Sequence, residues 1–88
     1  MHRIDLPLAV ASPADATQVM ELLKSVAAQQ AQVIKEPPPQ ALLLSFAGDS
    51  MNFELRFWTN QSEDWSQIRS ELAVAIRAAL AAQNIKVK

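Results

Sequence analysis

Residues 48–59 read Gly48-Asp49-Ser50-Met51-Asn52-Phe53-Glu54-Leu55-Arg56-Phe57-Trp58-Thr59, and this stretch decides the fold of the 88-residue chain. After a short polar turn, apolar and polar side chains alternate with the period of a β-strand. One predicted face carries Met51, Phe53, Leu55 and Phe57, and the other carries Asn52, Glu54, Arg56 and Trp58. The first face is expected to border a core. The second has no catalytic geometry of its own, but it is suited to meeting another chain or lining a wet surface.

A second strand is predicted immediately before the turn, from Gln40 to Ala47. Because Gly48-Asp49 followed by Ser50 is a turn signal between two strand-like runs, these strands are expected to form an antiparallel hairpin. The alternation places Leu42, Leu44 and Phe46 on one face and Ala41, Leu43 and Ser45 on the other. We expect Ala41 and Leu43 to lie with Trp58 on or near the face of the sheet that no helix covers.

The N-terminal third predicts a strand followed by a helix. Residues 3–10 alternate as a strand. Because Pro7 has no backbone N–H, it is expected on an edge strand or with its nitrogen pointing away from a partner strand. Ser12 is the expected N-cap of a helix running from about Pro13 to about Gln30. Residues 33–39 contain three prolines, which end the helix and favour a stiff connector over a ligand for a proline-binding module.

The C-terminal third predicts a second helix from about Glu63 to about Gln83, with Ser62 and Asp64 as the N-cap candidates. Its apolar stripe is expected to bury Trp65 together with Ile68, Leu72, Ile76, Ala79 and Leu80. Asn84 can end the helix in a left-handed conformation. Residues 85–88 begin another alternating strand that the chain then abandons.

The predicted order is therefore strand, helix, strand, strand, helix, strand. This order favours an α+β, ferredoxin-like βαββαβ domain covering residues 1–88, with two helices on one face of a mostly antiparallel sheet. The opposite face is then open unless a partner covers it.

Composition argues against several classes of function. Eight Lys and Arg nearly balance nine Asp and Glu and are scattered, which disfavours nucleic-acid binding. Cysteine is absent and Gly48 is the only glycine, so thiolate sites and glycine-rich phosphate loops are excluded. The single histidine, His2, is expected to be solvated at the N-terminus, and Glu63-Asp64 are explained by a helix start. We expect no enzyme activity, no metal site and no cofactor.

With these residues placed, residues 46–58 resemble the late cytoplasmic part of the small-conductance mechanosensitive channel family, the MscS-like channels. In that family a glycine-containing turn is followed by Asn-Phe, an aliphatic residue, Arg and aromatic residues. Residues 3–10 resemble the strand before the family's first cytoplasmic helix. Lys35-Glu36-Pro37-Pro38-Pro39 resembles its acidic, proline-bearing stretch, and residues 81–87 parallel its helix end and following strand.

This resemblance implies a domain excised from a larger membrane channel, since the family's transmembrane helices and middle β domain would lie before Met1. It also implies a homo-oligomer, whose copies form a cytoplasmic vestibule through which ions and small solutes pass. The parent protein would lie in the cell membrane, with this domain on the cytoplasmic side. The domain would be linked to the membrane only through parts of the protein that these 88 residues do not include. The chain departs from the family at Leu8-Ala9-Val10, where a glycine is frequent, and after Lys88, where a proline-aromatic segment usually follows.

The interface candidates under this interpretation are Asn52, Glu54, Arg56 and Trp58, which are expected to contact neighbouring subunits or border the vestibule. A second hypothesis is a stand-alone ferredoxin-like regulatory module that dimerises through its sheet and binds a small metabolite. A reading frame that continues upstream into membrane spans would exclude this alternative.

Overall fold

The computed structural model describes residues 1–60 and 63–88, and these form a three-stranded antiparallel sheet with two helices. The elements are β1 (His2–Ala11), α1 (Ala16–Ala28), β2 (Gln40–Ala47), β3 (Ser50–Thr59) and α2 (Trp65–Ala82). The strand order is β1-β3-β2. This arrangement confirms the predicted α+β class and the predicted hairpin of β2 and β3.

The expected sixth element is present as a single bridge rather than as a full strand. Val87 pairs with Val10, and the Lys88 amide donates to the Ala9 carbonyl at 2.9 Å. The Ala11 amide donates to the Lys86 carbonyl at 2.8 Å. The C-terminal residues therefore lie antiparallel along the outer side of β1. The alternation after Asn84 predicted the start of a strand but not its partner.

The core lies between one face of the sheet and the two helices. Phe53, Leu55 and Phe57 of β3 are fully buried, and Met51 is 8% exposed. Alternate residues of β1 and apolar positions of both helices complete the cluster: Ile4, Leu6, Val10, Val19, Leu23, Ala27, Ile68, Leu72, Ile76 and Leu80. The face assigned to β3 from its alternation is confirmed.

The start of α1 differs from the prediction, which placed Ser12 at the N-cap and the helix start near Pro13. Asp15 is the N-cap, and its Oδ1 accepts hydrogen bonds from the amides of Thr17 (3.0 Å) and Gln18 (3.3 Å). The Ser12 amide instead donates to the Asp49 carbonyl at 2.8 Å, which holds Ser12 beside the β2–β3 turn. The Asp15 carboxylate therefore caps the helix, because Ser12 lies too far before the first helical residue to do so.

The apolar stripe of α2 is confirmed for Ile68, Leu72, Ile76 and Leu80, but the prediction that Trp65 is buried is wrong. Trp65 is the first residue of α2 and is 43% exposed. Its ring centroid lies 6.1 Å from that of His2 at the start of β1, so the indole covers the end of the sheet rather than its middle. Asp64 holds the N-cap position without a side-chain cap hydrogen bond, and Ser62 lies outside the described residues.

The predicted faces of β2 are reversed in its first half. Ala41 pairs with Leu55 and Leu43 pairs with Phe53, so Ala41 and Leu43 pack against the core and not on the open face. An irregularity between Leu43 and Ser45 then shifts the register, and Leu44 lies at this bulge with 54% exposure. A bulge inserts one unpaired residue and so changes which side chains share a face.

Truncation of Leu55 to alanine is expected to cost about 2–5 kcal/mol of unfolding free energy, because the side chain is fully buried and leaves a cavity. Leu44→Ala is the matched control, since the same residue type is 54% exposed there, and a change of about 0.5 kcal/mol or less is expected. Urea unfolding with equal m-values for both variants measures the difference. Equal losses at the two positions would contradict the assigned faces.

The C-terminal segment is also tied to the hairpin turn by a side chain. Lys88 Nζ lies 2.8 Å from Asp49 Oδ2, and this hydrogen bond and charge attraction lower the pKa of Asp49 below its ordinary value of 3.8. A lowered pKa in the folded state stabilises that state above pH 3.8, and the contribution is lost as the pH falls through the lowered pKa.

A carbon-detected NMR titration of the Asp49 carboxyl is expected to show this lowered pKa in the unmodified chain. Lys88→Ala is expected to raise the pKa of Asp49 towards 3.8, because both the hydrogen bond and the positive charge are removed. Lys86→Ala, which removes an exposed lysine of the same segment, serves as the control and is expected to leave the titration unchanged. A titration that is the same in all three chains would show that the Lys88 contact does not form in solution.

Candidate functional site

The face of the sheet opposite the helices, here called the open face, carries side chains of all three strands. Its members are Arg3, Asp5, Pro7 and Ala9 of β1, Gln40, Leu42 and Ser45 of β2, and Asn52, Glu54, Arg56 and Trp58 of β3. Those of β1 and β3 alternate with residues that face the core. The candidate residues of β3 thus lie in a row on one surface, and the structure places all of them together.

Two ion pairs occupy one half of the open face. Arg56 Nη2 lies 2.9 Å from Glu54 Oε2, and Arg56 Nε donates to the same oxygen at 3.0 Å. The side chains of Arg56 and Glu54 are 31% and 18% exposed, so this pair is shielded from solvent more than a typical surface pair. The pair runs along β3, between residues two positions apart.

The second pair joins Arg3 to Asp5 on the neighbouring strand. Arg3 Nη2 donates to Asp5 Oδ2 at 3.2 Å, and Arg3 Nε lies 3.1 Å from Oδ1. Within residues 1–60 and 63–88, buried Oδ1 has no hydrogen-bond partner, and its close neighbour is the Arg3 guanidinium. Arg69 of α2 donates from Nε to the Asp5 carbonyl at 3.3 Å, which fixes this end of β1 against the helix.

Trp58 and Asn52 lie at opposite ends of the row on β3. Trp58 is half-buried and opposite Arg3 in the register, and its carbonyl accepts a hydrogen bond from the Ile34 amide at 2.9 Å. Asn52 is exposed and donates from Nδ2 to Ser45 Oγ on β2 at 3.1 Å. The open face therefore changes from a charged, aromatic end to an uncharged end near the hairpin turn.

Two exposed apolar side chains at the hairpin end of β2 were not predicted from the sequence. Phe46 is 73% exposed and Leu44 is 54% exposed, although both were assigned to a single strand face with Leu42. The uninterrupted apolar run of β2 carries no signal of the bulge that separates them. An exposed phenylalanine on an edge strand is a contact candidate of a different kind from the charged row.

The described residues offer little that could hold a metal ion or react with a substrate. No group of three or more His, Cys, Asp or Glu side chains gathers within residues 1–60 and 63–88. A groove of about 640 Å³ lies between the start of α1 and the C-terminal segment, but its carboxylate, Asp15, already caps the helix. In the same ranges, neither helix combines the length and apolar character needed to cross a bilayer.

Comparison with known proteins gives a match over almost the whole chain. Residues 2–87 match the family described as "Mechanosensitive ion channel MscS, C-terminal". An MscS family protein of Synechocystis is 34% identical over 86 residues, which cover 98% of this chain and 29% of that protein. A small-conductance mechanosensitive channel of Edwardsiella ictaluri is 32% identical over 86 residues, covering 98% of this chain and 30% of the channel.

Solved structures agree with these matches. Helicobacter pylori MscS in its closed state superposes with a TM-score of 0.87 at 30% identity, over 99% of this chain and 34% of that one. Arabidopsis MSL1 superposes with a TM-score of 0.85 at 9% identity, which shows a shared fold alone. The chain thus spans about a third of the length of the Synechocystis, Edwardsiella and Helicobacter proteins.

The half-buried pair on β3 is expected to be coupled more strongly than an exposed pair. A double-mutant cycle with Glu54→Gln and Arg56→Gln should give about 1 kcal/mol, the upper end of measured surface pairs. The same cycle on Glu21 and Lys24 of α1 is the control, because those side chains are 67% and 42% exposed. Urea unfolding at low and high salt measures both cycles. Equal couplings, or a β3 coupling that high salt weakens as much as it weakens the α1 coupling, would contradict the shielded pair.

Proposed function

Because the chain belongs to the MscS family of mechanosensitive ion channels, we propose that it is a cytoplasmic domain of such a channel. Residues 1–88 form one domain of a longer polypeptide, whose other parts cross the cell membrane. Copies of the domain assemble as a homo-oligomer around a vestibule, and ions and small solutes reach the pore through it. The observation that carries this proposal is the match of residues 2–87 to the family's C-terminal domain.

The role proposed for this domain is structural rather than chemical. Its charged side chains on the open face are matched in ion pairs, Arg3 with Asp5 and Arg56 with Glu54. Matched charges leave a polar surface of low net charge, which tolerates water, ions of either sign or a neighbouring polar surface. Response to membrane tension is assigned to the parts of the polypeptide that enter the bilayer.

Asn52, Glu54, Arg56 and Trp58 are proposed to contact neighbouring subunits or to border the vestibule. Trp58 is the member best suited to a contact, because it is half-buried beside the charged pairs and retains exposed aromatic surface. Aromatic side chains are enriched at the centres of protein interfaces. Asn52 and the ion pairs are then expected at the polar rim of that contact.

A chimeric channel tests the proposal directly. The corresponding C-terminal part of Helicobacter pylori MscS is replaced by this chain, because the two share 30% identity and a TM-score of 0.87. The chimera is expected to assemble at the size of the parent channel and to open under membrane tension. Size-exclusion chromatography with light scattering in detergent measures assembly, and patch-clamp recording measures opening.

Trp58→Ala in the chimera is expected to weaken assembly or to change inactivation under sustained tension. Val74→Ala is the control, since Val74 is 69% exposed on α2, an element packed on the opposite side of the sheet. A chimera that fails to assemble while this chain remains folded would refute the channel role. Assembly and currents that are unaffected by Trp58→Ala would refute only the contact role of the open face.

A further inference from the structure

Two apolar features lie on opposite edges of the sheet and are uncovered in the described part of the chain. On the β2 edge, Phe46 is 73% exposed beside Leu44. On the β1 edge, a groove of about 150 Å³ lies between β1 and α2. The groove is lined chiefly by Leu6, Leu8, Ala73, Ile76, Leu80 and Val87. Because the strand order is β1-β3-β2, the two features point away from each other and cannot meet within one copy.

The groove is shaped to receive a side chain rather than another strand. The backbone groups of Ala9 and Ala11 point outwards and bond the C-terminal segment, as the Lys88 and Lys86 contacts show. Alternation along the strand directs the backbone nitrogen of Pro7 to the same outer side, where proline has no hydrogen to donate. A strand that continued past Ala9 would therefore meet an edge without a donor, which disfavours further backbone pairing.

The size and chemistry of the groove suit a phenyl ring. An apolar cavity of about 150 Å³ is large enough to bind benzene in another protein, and the groove here has the same volume. Arg77 lies at the rim, where its guanidinium can stack on an aromatic face. The strand that would carry the ring, β2, contains no charged residue between Gln40 and Ala47, so its approach to Arg77 brings no like charge.

We propose that Phe46 of one copy of this chain inserts into the groove between β1 and α2 of the next copy. The inference rests on the proposed function, in that copies of the domain meet one another, and it names the surfaces that meet. A contact between two different surfaces is head-to-tail, and such contacts generate closed rings when the rotation between copies closes. The uncharged β2 edge thus supplies the inserted side chain, and the β1 edge, which contains Pro7, supplies the groove.

A photocrosslinking experiment on the full 88-residue chain tests this contact while keeping an aromatic ring at the critical position. The photoreactive amino acid p-benzoylphenylalanine is placed at position 46, and the chain is mixed with a nitrogen-15-labelled copy and irradiated at its highest soluble concentration. Mass spectrometry is expected to map the cross-links between copies to the groove segments, residues 6–8 and 73–80. The same reagent at position 65 replaces another exposed aromatic residue and is the control.

A groove-filling variant separates a specific contact from random collision. Ala73→Leu in the labelled copy is expected to reduce the cross-link about tenfold, because an inserted side chain excludes the ring from an occupied apolar site. Val74→Leu, one residue further on α2 and 69% exposed outside the groove, is expected to leave the yield unchanged. Circular dichroism confirms that both variants are folded.

The proposal is overturned if cross-links from position 46 map to the β2 edge of the other copy, to any other surface, or nowhere. It is also overturned if Ala73→Leu and Val74→Leu lower the yield equally. A chimeric channel that assembles and opens while position 46 misses the groove would retain the proposed function and reject this contact. A chimera that fails to assemble, together with a cross-link specific to the groove, would reject the proposed function and retain this contact.

Discussion

The strand β3 must bury one whole face while both of its edges are already paired, and the rest of the domain follows from this requirement. Phe53, Leu55 and Phe57 are fully buried, and β1 and β2 flank them on either side. Removing this apolar area from water stabilises the folded chain by about 25 cal/mol per Å². With 88 residues available, two helices on a single face of the sheet are the means by which the chain achieves this.

Single-sided burial has a consequence for the opposite face. Each residue that alternates with a buried one is directed outwards, so Glu54 and Arg56 lie beside each other at partial exposure. A half-buried charge is costly unless it is paired, and Glu54 and Arg56 pair with each other along β3. The ion pairs of the open face therefore follow from the burial of the other face in the core. They are also candidates for contact with another molecule.

The sequence predicted the features that depend on a regular alternation of side chains. It predicted less well where that alternation is lost or where two residues could cap the same helix. The alternation in β3 fixed the face of Asn52, Glu54, Arg56 and Trp58, because polar residues interrupt every apolar one. In β2 the run Ala41 to Leu44 is apolar throughout, so no parity signal existed, and the bulge made the assignment of Leu43 wrong. For α1, Ser12 and Asp15 are both residue types that cap helices; the Ser12 amide bonds the hairpin turn, and Asp15 accepts from the helix amides. Roles in contact between copies depend on surfaces of a second molecule, which no pattern within one chain encodes directly.

The difference between the two sheet edges bears on how copies of such a domain can meet. The edge strand β2 has eight residues without charge or proline, so it lacks two of the devices that normally discourage association, although it has the bulge at Leu44. The other edge has Pro7 and a bonded C-terminal segment. Had both edges been alike, pairing of β2 with β2 would satisfy two copies and stop at a dimer. Unlike edges leave each copy with one feature to offer and another to receive, so association that uses both propagates from copy to copy. A closed ring around a passage is the finite assembly that such a contact permits, and it is the geometry that a vestibule requires.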